Sequence, residues 1–247
     1  VKRGAIQLQR PERSPSRARL ERSSYDMVVM DRVHTVRGLE SYDTASVVKR
    51  LREGRICLAY FNVGQAENYR TYWGADWIEP TAEKPGAPAF LLTVDPDGWA
   101  GDFPVAFWTP EWRALLMEQV DDVVARGFDG IYCDWVLGYE EPRVVAEAKR
   151  AGVNPARAMS ELLRDLRARG RKTNPRFQLV MQNGGALFRT IPELSQWVDG
   201  YSQEPVSFGG KAGVPWNDPQ GADVALPATG DWSTAALLDD LQFVRSK

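Results

Sequence analysis

The chain holds one histidine and two cysteines in 247 residues. Zinc sites need closely spaced Cys and His ligands. No such spacing occurs, so neither a metal site nor a cofactor is expected. Cys57 and Cys133 each fall inside an apolar, strand-like run. Two buried thiols are a simpler expectation than a disulfide, since the two strands are not expected to be neighbours. A basic surplus is also missing. Lys and Arg number 31 against 33 Asp and Glu, for a formal net charge of −2. Nucleic-acid binders carry a basic footprint, so no nucleic acid is expected as partner. The arginines between residues 10 and 22 make too short a patch to change that. No apolar run reaches the ~20 residues of a membrane-spanning helix. The first residues are charged and lack an apolar h-region, so no signal peptide is read in them. Three motifs are absent too: G-x-G-x-x-G, G-x-x-x-x-G-K-[ST] and G-x-S-x-G. Their absence removes the usual signs of a doubly wound nucleotide-binding sheet.

What the sequence does have is a repeated alternation. Apolar runs at residues 5–9, 25–31, 55–64, 89–94, 128–135, 177–181 and 198–204 read as seven strands. Met27-Val28-Val29-Met30 is continuous apolar sequence, as in a strand covered on both faces. Helical segments lie between several of them, at residues 46–53, 110–124, 142–151, 156–169 and 191–197, with a last one at 233–244. Thr109-Pro110-Glu111 opens the second of these, with Thr109 as N-cap and Pro110 at the first helical position. Leu115, Leu116, Val120, Val123 and Val124 form its apolar stripe. Strand, helix or loop, strand is the pattern of a parallel α/β sheet. A single domain over residues 1–247 is expected, since α/β barrels run to ~250 residues.

The strand ends carry the chemistry. Asp31, Asn62, Asp95, Asp134, Asn183 and Glu204 each sit where an apolar run meets its loop. Polar groups converging from many strand ends favour a closed barrel with one central site at its C-terminal mouth. The key stretch is Gly127-Phe128-Asp129-Gly130-Ile131-Tyr132-Cys133-Asp134-Trp135. A carboxylate buried there without a partner would be costly; facing a cleft, it can act. Two carboxylates at such a mouth are what glycoside hydrolysis requires, one to protonate the leaving oxygen and one to attack or to activate water. Nine tryptophans and eight tyrosines add aromatic faces on which sugar rings stack; Trp73, Trp77, Trp99, Trp108 and Trp135 are the candidate platforms.

Three stretches resemble glycoside hydrolase family 114, the endo-α-1,4-polygalactosaminidases and their bacterial relatives. They are the run Tyr60-x-Asn62-x-Gly64-x-x-Glu67-x-Tyr69-Arg70, the Gly127-to-Trp135 stretch, and Asp199-Gly200-Tyr201-Ser202-Gln203-Glu204. Ile6-Gln7-Leu8-Gln9 and residues 25–31 are similar to that family's first two strands. The resemblance implies a TIM-type (β/α) barrel. It also implies a retaining glycosidase with Asp134 as nucleophile and Glu204 as acid/base, and with Asp31, Tyr60, Asn62, Asp95, Trp135, Asn183 and Tyr201 binding substrate. The implied substrate is an extracellular, α-1,4-linked polysaccharide containing galactosamine. Free amino sugars are cations, which suits a mouth rich in carboxylates. A departure is expected at the C-terminus. The family pattern calls for an eighth strand after the last helix, and the chain stops at Lys247. The barrel would then lack or alter that strand. The competing function is a barrel that binds a polysaccharide without cutting it. The sequence fixes no oligomeric state.

Overall fold

A computed structural model describes residues 4–7, 16–33, 44–209 and 223–247. Leu8 and Gln9 of the first expected strand, part of the basic stretch after it, and the middle of the long loop at 206–230 lie outside the described residues.

In chain order the elements are β1 (Gly4–Gln7), α1 (Ser16–Arg22), β2 (Met27–Met30), α2 (Thr44–Leu51), β3 (Ile56–Asn62), β4 (Gln65–Glu67) and β5 (Asp102–Pro104). There follow α3 (Pro110–Ala125), β6 (Gly130–Asp134), α4 (Pro142–Arg150), α5 (Pro155–Arg171) and β7 (Gln178–Gln182). The chain continues through α6 (Leu187–Thr190), β8 (Gly200–Ser202), β9 (Phe208–Gly209), β10 (Val224–Ala225) and α7 (Thr234–Arg245). Short 3-10 turns cover Val136–Tyr139 and Pro192–Gln196.

Six strands form one sheet in the order β1-β2-β3-β6-β7-β8, and every neighbouring pair is parallel. Six of the seven expected strands are therefore present and adjacent in chain order. The sheet curves into half of a TIM-type barrel. Among the described residues no strand joins β8 back to β1.

The expected strand at 89–94 is corrected. It makes only a single antiparallel bridge, Leu91 with Val105, and its backbone bonds go to Pro104 and from Ala106. The sheet has no slot for it, because β3 and β6 pair directly from Leu58 with Gly130 to Asn62 with Asp134. That register corrects a second expectation, since Cys57 and Cys133 lie on neighbouring strands. They are nonetheless free and buried. Cys133 faces Phe61, four residues along β3 from Cys57, or roughly 13 Å at the strand rise. Thr109 also differs. It precedes α3 with Pro110 at the first position, but its side chain makes no cap and donates instead to the Ala106 carbonyl at 2.9 Å.

Strand alternation sorts the two faces. Val28, Met30, Cys57, Ala59, Phe61, Ile131, Cys133, Leu179 and Met181 join the main core. The helical side of that core includes Val47 and Leu51 of α2, Leu116 and Val120 of α3, and Leu162 and Leu166 of α5. Val29, Leu58, Tyr132 and Val180 form a smaller cluster on the inner face. Continuing that inner row along β6 from Gly130 and Tyr132 leads to Asp134. No helix among the described residues is long and apolar enough to cross a membrane.

Gly130 allows β6 and β7 to sit this close: a Cβ on it would lie 2.0 Å from the Gln178 carbonyl oxygen. Overpacking of this kind costs about 1–3 kcal/mol. Gly130→Ala should lower the urea midpoint accordingly; an unchanged midpoint would contradict this strand spacing.

Candidate active site

Asp134 is the last residue of β6, and its carboxylate is half-buried. Tyr60, on the neighbouring β3, donates its hydroxyl to Asp134 Oδ2 at 2.6 Å. The Trp135 N–H donates to Oδ1 at 2.7 Å. Burial pushes this carboxyl above the ordinary range, the two donors pull it back, and the charges of Glu67 and Asp95 add to the rise. Trp135 has a left-handed backbone, φ 57°, which is costly for a large side chain. Its carbonyl sits where a Cβ on Gly64 would be, 2.3 Å away. Gly64 is thus fixed by its contact with the loop that leaves Asp134.

Glu204 lies two residues past β8 and is exposed. Its N–H donates to Asn183 Oδ1 at 2.7 Å, and Gln182 Nε2 donates to its Oε2 at 3.1 Å. Asn183 also has a left-handed backbone, φ 60°, a conformation that Asn tolerates. Although Glu204 is exposed overall, its carboxyl is partly desolvated in the cleft; that first, and the Asp134 charge second, raise its proton affinity. Asp134 and Glu204 line one cleft of about 770 Å³, together with Trp99, Trp135, Asn183 and Trp232. Among the described residues neither carboxylate is ion-paired.

Beside Tyr60 lies a buried charge network. Arg70 donates from Nη1 to Asp31 Oδ1 at 2.7 Å and from Nε to Glu67 Oε2 at 2.8 Å. Tyr69 donates to Glu67 Oε1 at 2.8 Å. The Arg70 guanidinium stands 5.7 Å from the centre of the Tyr60 ring. Arg70 therefore braces the tyrosine that holds Asp134 and pairs with other carboxylates. Burial lifts Asp31 to about 6 despite Arg70. Glu67 and Gln182 were missed as candidates. Glu67 stood in the Tyr60-to-Arg70 run, and Gln182 directly follows the apolar run at 177–181, but Asn183 reads as the residue at that strand end.

The remaining candidates fall in different places. Asp134, Trp135, Asn183 and Glu204 share the cleft, and Tyr60 touches Asp134. Asn62 is turned to the β3–β4 corner: its Oδ1 accepts from the N–H groups of Gly64 and Gln65, and its Nδ2 donates to Gln65. Asp95 Oδ1 accepts from the N–H groups of Asp97 and Trp99, and so shapes the loop that carries Trp99 to the cleft. Asp31 is buried on Arg70. Tyr201 donates to Gln203 and faces a separate hollow against α7. Trp73 and Trp77 are corrected as platforms. They stack on each other and on Phe103 and Phe90, 5.0–5.4 Å apart. Trp108 is likewise packed edge-on against Phe107. Among the described residues no group of three or more His, Cys, Asp or Glu could hold a metal ion.

The profile of glycoside-hydrolase family GH114 matches residues 5–207. The chain belongs to that family. The GH114 chain is 39% identical over 161 residues to an uncharacterized protein of Deinococcus radiodurans, covering 65% of this chain and 47% of that one. It is 28% identical over 200 residues to an uncharacterized protein of Methanocaldococcus jannaschii, covering 76% and 52%. It thus spans about half the length of the curated relatives it matches. Among solved structures, the glycoside hydrolase domain of PelA from Pseudomonas aeruginosa aligns with a TM-score of 0.67 at 20% identity, covering 99% of this chain and 80% of that one. Aspergillus fumigatus Ega3, solved in complex with galactosamine, aligns with a TM-score of 0.57 at 17% identity, covering 80% and 66%. At these identities the likeness shows the fold.

The electrostatics make one prediction. Removing the Asp134 charge removes one of the two causes that raise Glu204. In Asp134→Asn, carbon-detected NMR should find Glu204 titrating at lower pH than in the wild type. An unchanged titration would mean that the two groups do not share a field.

Proposed function

We propose that this GH114 chain is a retaining endo-glycoside hydrolase acting on an extracellular, α-1,4-linked polysaccharide that contains galactosamine. Asp134 attacks the anomeric carbon, and the C1–O bond to the leaving sugar breaks as Glu204 protonates the departing oxygen. A glycosyl ester on Asp134 results. Glu204, now a carboxylate, takes a proton from water, which attacks C1 and frees Asp134.

The observation that carries this reading is the shared cleft. Both carboxyls hold their protons more tightly than usual, and Asp134 alone has two hydrogen-bond donors on it that favour its ionised form. Neither is neutralised by a described cation. That difference in donors supports Asp134 as the nucleophile and Glu204 as the acid. Their strands are separated by β7 alone, so the backbones stand roughly 10 Å apart at two strand spacings. Side chains leaning across that gap can reach the ~5–5.5 Å of a retaining pair. Trp135 and Asn183 line the cleft and fit sugar contact. Tyr60 serves by holding the nucleophile. Asp31, Asn62, Asp95 and Tyr201 would act on substrate through the loops and charges they set. The amino-sugar preference is supported by the family resemblance, by the galactosamine bound to Ega3 and by the acidic surroundings of the cleft.

A reducing-end assay on a partially deacetylated α-1,4-galactosamine polymer tests the reading. The wild type should release new ends. Asp134→Asn should release none, and Glu204→Gln should be slower by about 10²–10⁴-fold. Turnover retained in Asp134→Asn would remove Asp134 from the mechanism. Polymer binding by the wild type without new ends would leave a non-catalytic binding barrel.

A further inference from the structure

The family match stops at residue 207, yet a residue well past it stands in the cleft. Trp232 is 48% exposed and lines the hollow that holds Asp134 and Glu204. It also lines a second hollow of about 290 Å³. Leu137 and Glu140 are shared by both hollows as well. The two hollows therefore adjoin, with Leu137, Glu140 and Trp232 bordering both.

The segment carrying Trp232 is anchored. Leu237 of α7 is buried, and Ser233 caps the helix by accepting from the Ala236 N–H at 3.2 Å. Arg189 donates to Asp239 at 2.6 Å and to Asp240 at 3.2 Å. Gly185 lets α7 lie against the loop after β7, since a Cβ there would come within 2.8 Å of the Asp240 Cβ. Arg189 engages two of the acids around the second hollow. Its other two, Glu140 and Asp231, make no ion pair among the described residues.

We propose that Trp232, with Glu140 and Asp231 beside it, forms a further sugar subsite that takes one more amino-sugar unit of the polymer bound across Asp134 and Glu204. This rests on the substrate proposed above. The indole supplies a flat apolar face for the sugar ring and attracts a cation placed over it. The second hollow lies at the lower end of ligand-pocket volumes, ~300–1,000 Å³, and so accommodates a single unit. Glu140 and Asp231 make it selective for a protonated amino sugar over an acetylated one.

The test uses the full chain and α-1,4-galactosamine oligosaccharides, long and short. Trp232→Ala should raise KM for long substrates about tenfold with kcat within about twofold, the signature of lost uniform binding. Trp232→Phe should recover most of it. Glu140→Gln should weaken binding at low salt and much less at high salt. An unchanged KM in Trp232→Ala, or a fall in kcat alone, would overturn the subsite while leaving hydrolysis standing. If even the wild type releases no reducing ends, the hydrolytic reading fails and calorimetry decides the subsite. Adding Trp232→Ala to Asp134→Asn should weaken oligosaccharide binding about tenfold; equal or absent binding in the two variants would overturn it.

Discussion

A carboxylate at the end of a buried strand must be held, or it takes up a proton and loses its chemistry. At Asp134 the holding groups are one hydroxyl and one backbone N–H. Tyr60 comes from the adjacent strand, where Asn62 is registered against Asp134. Trp135 supplies its amide because its backbone turns into the left-handed region, and Gly64 leaves room for that turn. Arg70 stands beside Tyr60 and is fixed in turn by Glu67 and Asp31. The two donors therefore favour the anion in a place where burial and the charges of Glu67 and Asp95 favour its neutral form. Glu204 has fewer partners. It is held by one side-chain amide, and the negative field of Asp134 reaches it.

Much of this was legible in the sequence, because strand ends announce themselves. Apolar runs closing on Asp134 and just before Asn183 and Glu204 gave both the sheet and the residues at its mouth. The failures share a cause: a run of apolar residues says that something is buried, without saying against what. Residues 89–94 have the length and composition of a strand, but β3 and β6 already pair with each other. Trp73 and Trp77 read as platforms, yet they pack into an aromatic cluster with Phe90 and Phe103. Asn62 stands at a strand end like the others, but the sharp β3–β4 corner takes both ends of its amide. Pairings such as Arg70 with Asp31, across 39 positions, leave no periodic trace in the sequence.

Among the described residues the candidate site is built from neighbouring strands of the half-barrel. The residues at the mouth come from β3, β6, β7 and the end of β8, four consecutive strands of the sheet. Their positions are set by pairing between those neighbours. The C-terminal segment adds to the same mouth from the side of β8. Trp232 reaches the cleft while α7 packs on the loop after β7, so the wall there is built by a helix cap and a tryptophan.

The proposed retaining mechanism requires Asp134 and Glu204 to meet across a gap too narrow for an intervening water. The stereochemistry of hydrolysis reads that gap directly. Proton NMR of the first product released from an α-1,4-galactosamine polymer should show the α-anomer, converting to β only later by mutarotation. The β-anomer appearing first would mean inversion and carboxylates about 6.5–9.5 Å apart, and would contradict the account.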